Sequence, residues 1–319
     1  DTVLVNTAKS LATRFRPAAG ILQSWNTDNP AQWQAHRGWD CPVIIDNMMN
    51  LELLFKVSEM TGDDTYRNIA ISHADKTLEN HYRDDFSTFH VVDYNDETGE
   101  VRGHYTAQGI ADGSRWARGQ GWSIYGFTVA YRFTGDQKYL QRAKDVANYL
   151  LVEEDNMPED LVPLWDFDIV EYSENLPQNE FLYPNLKDKD LPKQYTQIRD
   201  VSSAAIIASA LYELYWITKD EFYKEKADKK QLDLVLKSKY YELCGLEKQA
   251  EVQRANVQYM KKYAEIEVVK LEGGRTTETD CRLAQVSLEM AENDLSAAEN
   301  AVQIKTREIS DFLNQYDDT

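Results

Sequence analysis

The sequence predicts an all-α protein, in which a toroid of helical hairpins is followed by an antiparallel coiled-coil hairpin. The first observation is a helix–turn–helix pattern that recurs three times before residue 228. The second is a heptad pattern of apolar residues around Gly273 and Gly274. The third is a change of composition, since all seven Trp lie at or before Trp216 and all eight Pro at or before Pro192. We therefore predict two domains, residues 1–227 and 228–319, the second from a different type of protein.

The elements of the first domain follow from apolar spacing. Residues 3–15 place their apolar side chains on one helical face, which ends before Pro17. The pattern is helical again from Val43 to Met60, so that Asp46 is predicted to lie inside a helix. Residues 84–94 alternate like a short strand or an extended loop.

Each hairpin unit consists of an apolar inner helix, a short turn and an outer helix. The three turns begin with a Thr and contain an Asp two residues later, starting at Thr61, Thr134 and Thr218. The segments between the hairpins are long and rich in Tyr, Asp and Pro. Such connections favour a toroid with a mouth formed by loops over a thin solenoid.

Residues 112–126 bring together two Trp and two Arg, separated by small residues. Flat aromatic rings beside guanidinium groups suit a planar ring that carries a carboxylate, because the indole covers the ring and Arg binds both oxygens. Trp116, Arg118 and Trp122 are candidates for this role. The alternative is a Trp-rich helix that packs against a neighbour, with its arginines in structural ion pairs.

Asp46 stands in an apolar run of Ile and Met. Burial of an unpaired carboxyl raises its pKa, which suits a general acid. The alternatives are a helix N-cap or an interior hydrogen-bonding group. The five His lack metal-ligand spacing and the three Cys are too few for a zinc site, so we predict no metal and no cofactor.

Charge and hydropathy exclude two classes of partner. The net charge of −19 argues against nucleic acid, because it repels the phosphate backbone. No apolar run reaches the roughly 18 residues that span a bilayer, and no leader is visible, so we expect no membrane insertion and a cytoplasmic or periplasmic location.

Six ordered segments resemble the unsaturated glucuronyl hydrolases, glycoside hydrolase family 88, over about residues 1–227. They are residues 44–51, 89–93, 108–109, 112–122, 164–168 and 199–205. The resemblance implies an (α/α)6 barrel. It also implies an acidic oligosaccharide substrate whose terminal uronic acid carries a C4=C5 double bond, which the enzyme hydrates before the next sugar is released. By position, Asp46 corresponds to the acid/base of the family. The residues that correspond to its active-site lining are His90, Gln108, Trp116, Arg118 and Trp122.

The resemblance also implies an incomplete barrel. A hairpin with a second active-site Asp, and a Gly-Ser-containing segment near the last helices, have no counterpart in this sequence. We therefore expect self-association through open barrel edges or through the coiled coil. Two alternative functions remain: a non-catalytic sugar-binding remnant, and a structural or adaptor protein that acts through the coiled coil.

The second domain carries a heptad seam on each side of the Gly-Gly turn. Its apolar positions are Leu243, Leu246, Ala250, Val257, Met260, Ala264 and Leu271, then Leu288, Ala291, Leu295, Ala298, Val302, Ile309 and Phe312. Residues 262–315 weakly resemble the helical hairpin of outer-membrane efflux channels of the TolC type.

Overall fold

A computed structural model describes residues 2–29, 33–152, 157–158, 160–175 and 196–317. The chain forms two compact units, Asp1–Leu232 and Asp233–Thr319. Helices dominate both units, which confirms the all-α prediction. Two small antiparallel sheets accompany them in the first unit.

The helices begin and end at capping residues and turns. They are α1 (Thr2–Ala12), α2 (Leu51–Thr61), α3 (Asp64–Asn80), α4 (Ala117–Thr134), α5 (Gln137–Leu151), α6 (Ile169–Asn175), α7 (Val201–Thr218), α8 (Glu221–Glu272) and α9 (Glu278–Asp317). Two 3-10 helices, Trp33–Arg37 and Ile45–Asn50, precede α2. The strands are β1 (Phe15–Arg16), β2 (Ile21–Leu22), β3 (Cys41–Ile44), β4 (Val91–Tyr94) and β5 (Val101–Tyr105).

The three hairpins share one turn structure. The Thr that ends each inner helix donates its hydroxyl to the carbonyl four residues earlier, at 2.7 Å in every case. The next residue is left-handed, and the three are Gly62, Gly135 and Lys219, with φ of 71°, 72° and 58°. An Asp then caps the outer helix by accepting the N–H two residues later, at 2.9, 3.1 and 3.1 Å. The sequence repeat therefore corresponds to a structural repeat, as predicted.

The core of the first unit is centred on α4. This helix packs against α5, α7 and the 3-10 helix Ile45–Asn50. A Cβ on Gly126 would lie 2.3 Å from the Cβ of Met48, so only glycine allows the segment that follows Asp46 to approach α4 this closely. One described helix, α7, is long and apolar enough to cross a membrane by length and composition. Its apolar residues Ile207, Leu211 and Leu214 are buried in the core of this unit.

The helix predicted from Val43 begins later in the structure, because its first residues form a strand. Residues Cys41–Ile44 form strand β3, which pairs antiparallel with β4, and β4 pairs with β5. Pro42 and the β-branched residues after it fit a strand once a partner is present, and that partner comes from residues 91–94. The prediction for residues 84–94 is correct in its last four residues. The first helix is shorter than predicted, because Phe15 and Arg16 pair with β2 instead.

The second unit contains the antiparallel pair formed by α9 and most of α8. Two ion pairs join the antiparallel helices, since Lys305 contacts Glu242 at 2.6 Å and Arg254 contacts Glu299 at 3.0 Å. All predicted seam positions up to Ile309 are buried or half-buried. The Phe312 side chain lies outside the described residues. The helical hairpin is thus confirmed, while supercoiling of its two helices stays a prediction.

Candidate active site

Asp46 lies in the first turn of the 3-10 helix between β3 and α2, and its side chain is 13% exposed. Burial raises its pKa to about 6, while its own backbone N–H, the charge of Arg118 and a hydrogen bond from Trp122 favour the carboxylate. Ile44, not Asp46, is the N-cap of this helix. The Oδ2 atom is buried and has no hydrogen-bond partner among the described residues. Asp46 is therefore not the cap, and one of its two oxygens is left without a hydrogen bond among the described residues, so burial dominates and its pKa is raised to about 6.

His90 directly precedes strand β4, and its side chain is completely buried. Three donors surround its Nδ1: the Thr106 hydroxyl at 3.0 Å, the Ala107 N–H at 3.1 Å and the Gln108 N–H at 3.2 Å. Backbone N–H groups only donate, so Nδ1 is the acceptor and the ring proton is on Nε2. Burial lowers the pKa of His90 to about 3, and the ring is neutral. Its Nε2 lies 3.7 Å from Oδ2 of Asp46.

Trp116 and Arg118 complete one wall of the site. The ring of Trp116 packs on the His90 ring with centroids 4.2 Å apart. The Arg118 guanidinium lies over Trp116 at 4.9 Å, and its Nε donates to Asp200 at 3.1 Å. Trp116 is the N-cap residue of α4, and Arg118 lies in the first turn. Because Trp116 is only 2% exposed, the start of this helix presents the Arg118 cation, supported by a buried indole, beside Asp46.

Trp122 and Gln108 lie at the site in different ways. Trp122, one turn further along α4, contacts the Asp46 carboxyl through its side chain and is half-buried. Gln108 contributes its backbone N–H to the His90 ring, while its side chain is exposed. The structure thus brings five predicted side chains together, namely Asp46, His90, Trp116, Arg118 and Trp122. Gln108 joins them through its main chain.

The two interpretations of residues 112–126 apply to different residues. Arg115 donates from Nε to Asp168 at 2.8 Å and also contacts Tyr149 at 2.8 Å, so it is the structural ion pair. Gln120 is buried and bonds to Thr88 on both sides of its amide. Arg118 and the two Trp belong to the candidate site.

Sequence reasoning missed Asp166 and Asp200. Asp166 is fully buried, and burial raises its pKa to about 6. Its Oδ2 accepts from Ser114 Oγ at 2.6 Å and from Ile110 N at 2.9 Å, which anchors the loop before Trp116. Asp200 holds Arg118 from the start of α7. Both residues stand in the segments that carried the resemblance, but no role followed from that position alone.

Known proteins resemble this chain over its larger part. No family model matches it. An unsaturated glucuronyl hydrolase of Formosa agariphila is 41% identical over 225 residues, which is 70% of this chain and 49% of the relative. An unsaturated chondroitin disaccharide hydrolase of Streptococcus agalactiae is 37% identical over 162 residues, 51% of this chain and 38% of the relative.

Solved structures agree with these relatives. An unsaturated glucuronyl hydrolase specific for heparin matches with a TM-score of 0.58 and 35% identity, over 72% of this chain and 54% of that one. The chain spans about half the length of the relatives it matches. Over the part that matches, this chain is similar to the unsaturated glucuronyl hydrolases.

Proposed function

We propose that this chain releases sugars from unsaturated uronyl oligosaccharides by adding water across the C4=C5 double bond of the terminal uronic acid. The observation that carries the proposal is the buried Asp46 carboxyl, whose pKa is raised to about 6 by burial. Protonation of carbon needs an acid that still holds its proton near neutral pH. Asp46 meets this requirement and lies beside groups suited to an anionic ring.

The reaction needs only one acid/base. Asp46 gives its proton to C4, and the electron pair of the double bond forms the new C–H bond. The positive charge at C5 is shared with the ring oxygen. The Asp46 carboxylate then takes a proton from the water that adds to C5. The resulting hemiketal opens at C5, and the freed C1 end expels the next sugar, so that one water is consumed.

The neighbours of Asp46 have separate tasks in this proposal. Arg118 holds the uronate carboxylate, because a guanidinium binds two oxygens at once. Trp122, which is half-buried, covers the sugar ring with its indole face. The buried Trp116 supports Arg118 and His90 from behind. His90 remains neutral and donates from Nε2 to a substrate oxygen, since burial lowers its pKa to about 3. Trp122 supports the carboxylate form of Asp46 after proton transfer.

The substrate class rests on the relatives and on charge. One relative is named for unsaturated chondroitin disaccharides, and one solved relative is specific for heparin. We propose a short acidic oligosaccharide with an unsaturated terminal uronate as the substrate of this chain. The cation of Arg118 supplies local attraction in a protein whose net charge is −19.

Turnover of an unsaturated chondroitin disaccharide tests the proposal, because hydration removes the ultraviolet absorbance of the conjugated double bond. We expect absorbance loss with the intact chain and none with Asp46→Asn. Binding of the disaccharide without any turnover by the intact chain would support the sugar-binding remnant instead. Neither binding nor turnover would overturn both functions.

Self-association and location are separate proposals. We propose that copies of the chain associate through barrel edges or through the helical hairpin, and that the protein acts in the cytoplasm or periplasm. Large apolar side chains exposed on α8, such as Tyr259 and Ile266, support association through the hairpin. Light scattering on the purified chain tests it, and a monomer at all concentrations would contradict it.

A further inference from the structure

Asp200 connects two inner helices at the candidate active site. Its Oδ1 accepts from Ser203 N at 2.9 Å and from Ser202 Oγ at 2.5 Å, which caps α7. Its Oδ2 accepts from Nε of Arg118, in the first turn of α4, at 3.1 Å. The Asp200 side chain is only 6% exposed, whereas that of Arg118 is 34% exposed. A buried carboxylate therefore fixes the inner side of a partly exposed guanidinium.

This contact decides which edge of Arg118 is available to a ligand. A guanidinium offers a carboxylate either its side, through Nε and one Nη, or its end, through both Nη groups. Nε is occupied by Asp200, and the plane of the group lies over Trp116. Within the described part of the chain, no hydrogen bond involves either Nη of Arg118. The end of the guanidinium is the edge left for two carboxylate oxygens.

We propose that Asp200 is a positioning residue, which orients Arg118 for end-on binding of the substrate carboxylate; the proposal rests on the function proposed above. Asp200 acts through Arg118 and does not contact the sugar. Because its carboxylate is locked by the N–H of Ser203, it holds the arginine without the entropy cost of a mobile partner. The cation is thus ordered before substrate arrives.

Asp200→Asn separates this role from simple capping. Asn is as good an N-cap as Asp, so α7 keeps its first turn. The variant loses the charge that attracts Arg118. Asp63→Asn is the matched control, since Asp63 caps α3 by accepting from Thr65 N at 2.9 Å and the same chemical change leaves Arg118 untouched.

Binding is measured by calorimetry with an unsaturated chondroitin disaccharide, in an Asp46→Asn background that prevents turnover. We expect Asp200→Asn to weaken binding about tenfold, within the range for a hydrogen bond to a charged group. In the otherwise intact chain, KM should rise about as much, while kcat changes less than about twofold, because the lost contact is made equally in the ground state and the transition state. Asp63→Asn should change neither.

A double-mutant cycle tests the pathway. If Asp200 acts through Arg118, then Asp200→Asn adds little to the loss already caused by Arg118→Ala. Additive losses would overturn the proposal, as would unchanged binding in Asp200→Asn. A thermal melt on each variant confirms that it is folded.

One measurement uses the intact chain alone, without substrate and without any substitution. In a nitrogen-15 spectrum, the Nε–H of Arg118 should give a distinct signal that exchanges slowly with water, because it is bonded to a buried carboxylate. Rapid exchange of this proton in the intact chain would overturn the positioning role. A slow signal combined with no disaccharide binding in any variant would instead show that the ion pair exists and that the proposed function is wrong.

Discussion

The Nε2 atom of His90 lies 3.7 Å from Oδ2 of Asp46, and both atoms are buried without a hydrogen-bond partner among the described residues. The histidine is a neutral donor and the aspartate an acid or an acceptor. They do not form an ion pair, since burial lowers the pKa of His90 to about 3. This separation is slightly longer than a hydrogen bond, and catalytic contacts often tighten only in the complex.

The first prediction concerns the acid itself. Asp46→Asn should abolish hydration of an unsaturated disaccharide and leave its binding largely intact, because the amide keeps the shape but has no proton to give. Loss of absorbance measures turnover, and calorimetry measures binding. Glu59→Gln, an exposed change on α2 at a residue whose one ion pair within the described ranges is with Lys56, is the control and should stay active. An active Asp46→Asn protein would remove Asp46 from the mechanism.

The second prediction concerns pH. With a pKa of about 6, Asp46 loses its proton as the pH rises, and only about 1% remains protonated at pH 8. The value of kcat/KM should therefore fall about tenfold per pH unit above pH 7. His90 adds no second limb between pH 4.5 and 8, because its pKa is lowered to about 3. A rate that rises through this range would indicate a base instead of an acid.

The third prediction concerns stability. The native pKa of Asp46 is about 6 and the reference value is 3.8, so the native state holds a proton that the unfolded chain has released between these values. The free energy of unfolding therefore falls as the pH rises through this window. The full cost above pH 6 is about 3 kcal/mol at most, from 1.36 kcal/mol per pKa unit. Asp46→Asn should be more stable than the parent at pH 8 by up to this amount, and equal to it near pH 4.

Asp166 provides the contrast for this prediction. Its pKa is also raised to about 6 by burial, but its oxygens accept three hydrogen bonds. Asp166→Asn replaces an acceptor by a donor and should destabilise the protein at both pH values by about 1–3 kcal/mol. Denaturant unfolding measures both variants. A loss of stability in Asp46→Asn at pH 8 would mean that its carboxylate is well solvated or well bonded.

The fourth prediction concerns the wall formed by Trp116 and Arg118. Arg118→Ala should weaken binding of the unsaturated disaccharide by about 1.5–3 kcal/mol, through loss of a charge-assisted contact. Arg118→Lys keeps the charge without the planar fork and should recover only part of the loss. Trp116→Ala should also weaken binding. Unchanged affinity in all three variants, measured by calorimetry, would assign these residues to the structure alone.

The fifth prediction concerns the hairpin turns. A Cβ on Gly135 would meet no atom within 4 Å, yet its φ is 72°, so Gly135→Ala should cost about 1–2 kcal/mol through backbone strain alone. Lys219 occupies the equivalent position with φ of 58° and already carries a Cβ. Lys219→Ala loses the position of the ammonium group over the Trp216 ring, at 4.7 Å, and over the Tyr215 ring, at 5.9 Å, and should cost about 0.5–1 kcal/mol. Equal costs at the two turns, measured by denaturant unfolding, would contradict this account.

Local patterns were sufficient to predict most helices. The three turns that begin at Thr61, Thr134 and Thr218 each contain a cap and a left-handed position within four residues, so their structure depends on nearby atoms only. The heptad seam of α8 and α9 likewise follows from the positions of apolar side chains. The burial of Asp46 could also be predicted from the sequence, because a run of Ile and Met around one carboxyl indicates an apolar environment and a raised pKa.

Strand β3 and the exact place of Asp46 depended on the tertiary structure. An apolar run is compatible with a helix or a strand, and residues 91–94 decide it by pairing with Cys41–Ile44. The ring nitrogen of His90 that carries the proton could not be predicted from the sequence either. It depends on three donors that lie 16 to 18 residues away in the chain.

The sequence by itself determined the hairpins, the buried seam and the group of residues that form the candidate site. Only the tertiary structure showed that Arg115 pairs with Asp168, and that Arg118 pairs with Asp200 and lies at the candidate site. Both arginines stand three residues apart in the same motif, and each has an acidic partner remote in sequence. Which carboxylate each guanidinium meets depends on how the isolated β-bridges and α7 place those carboxylates in space.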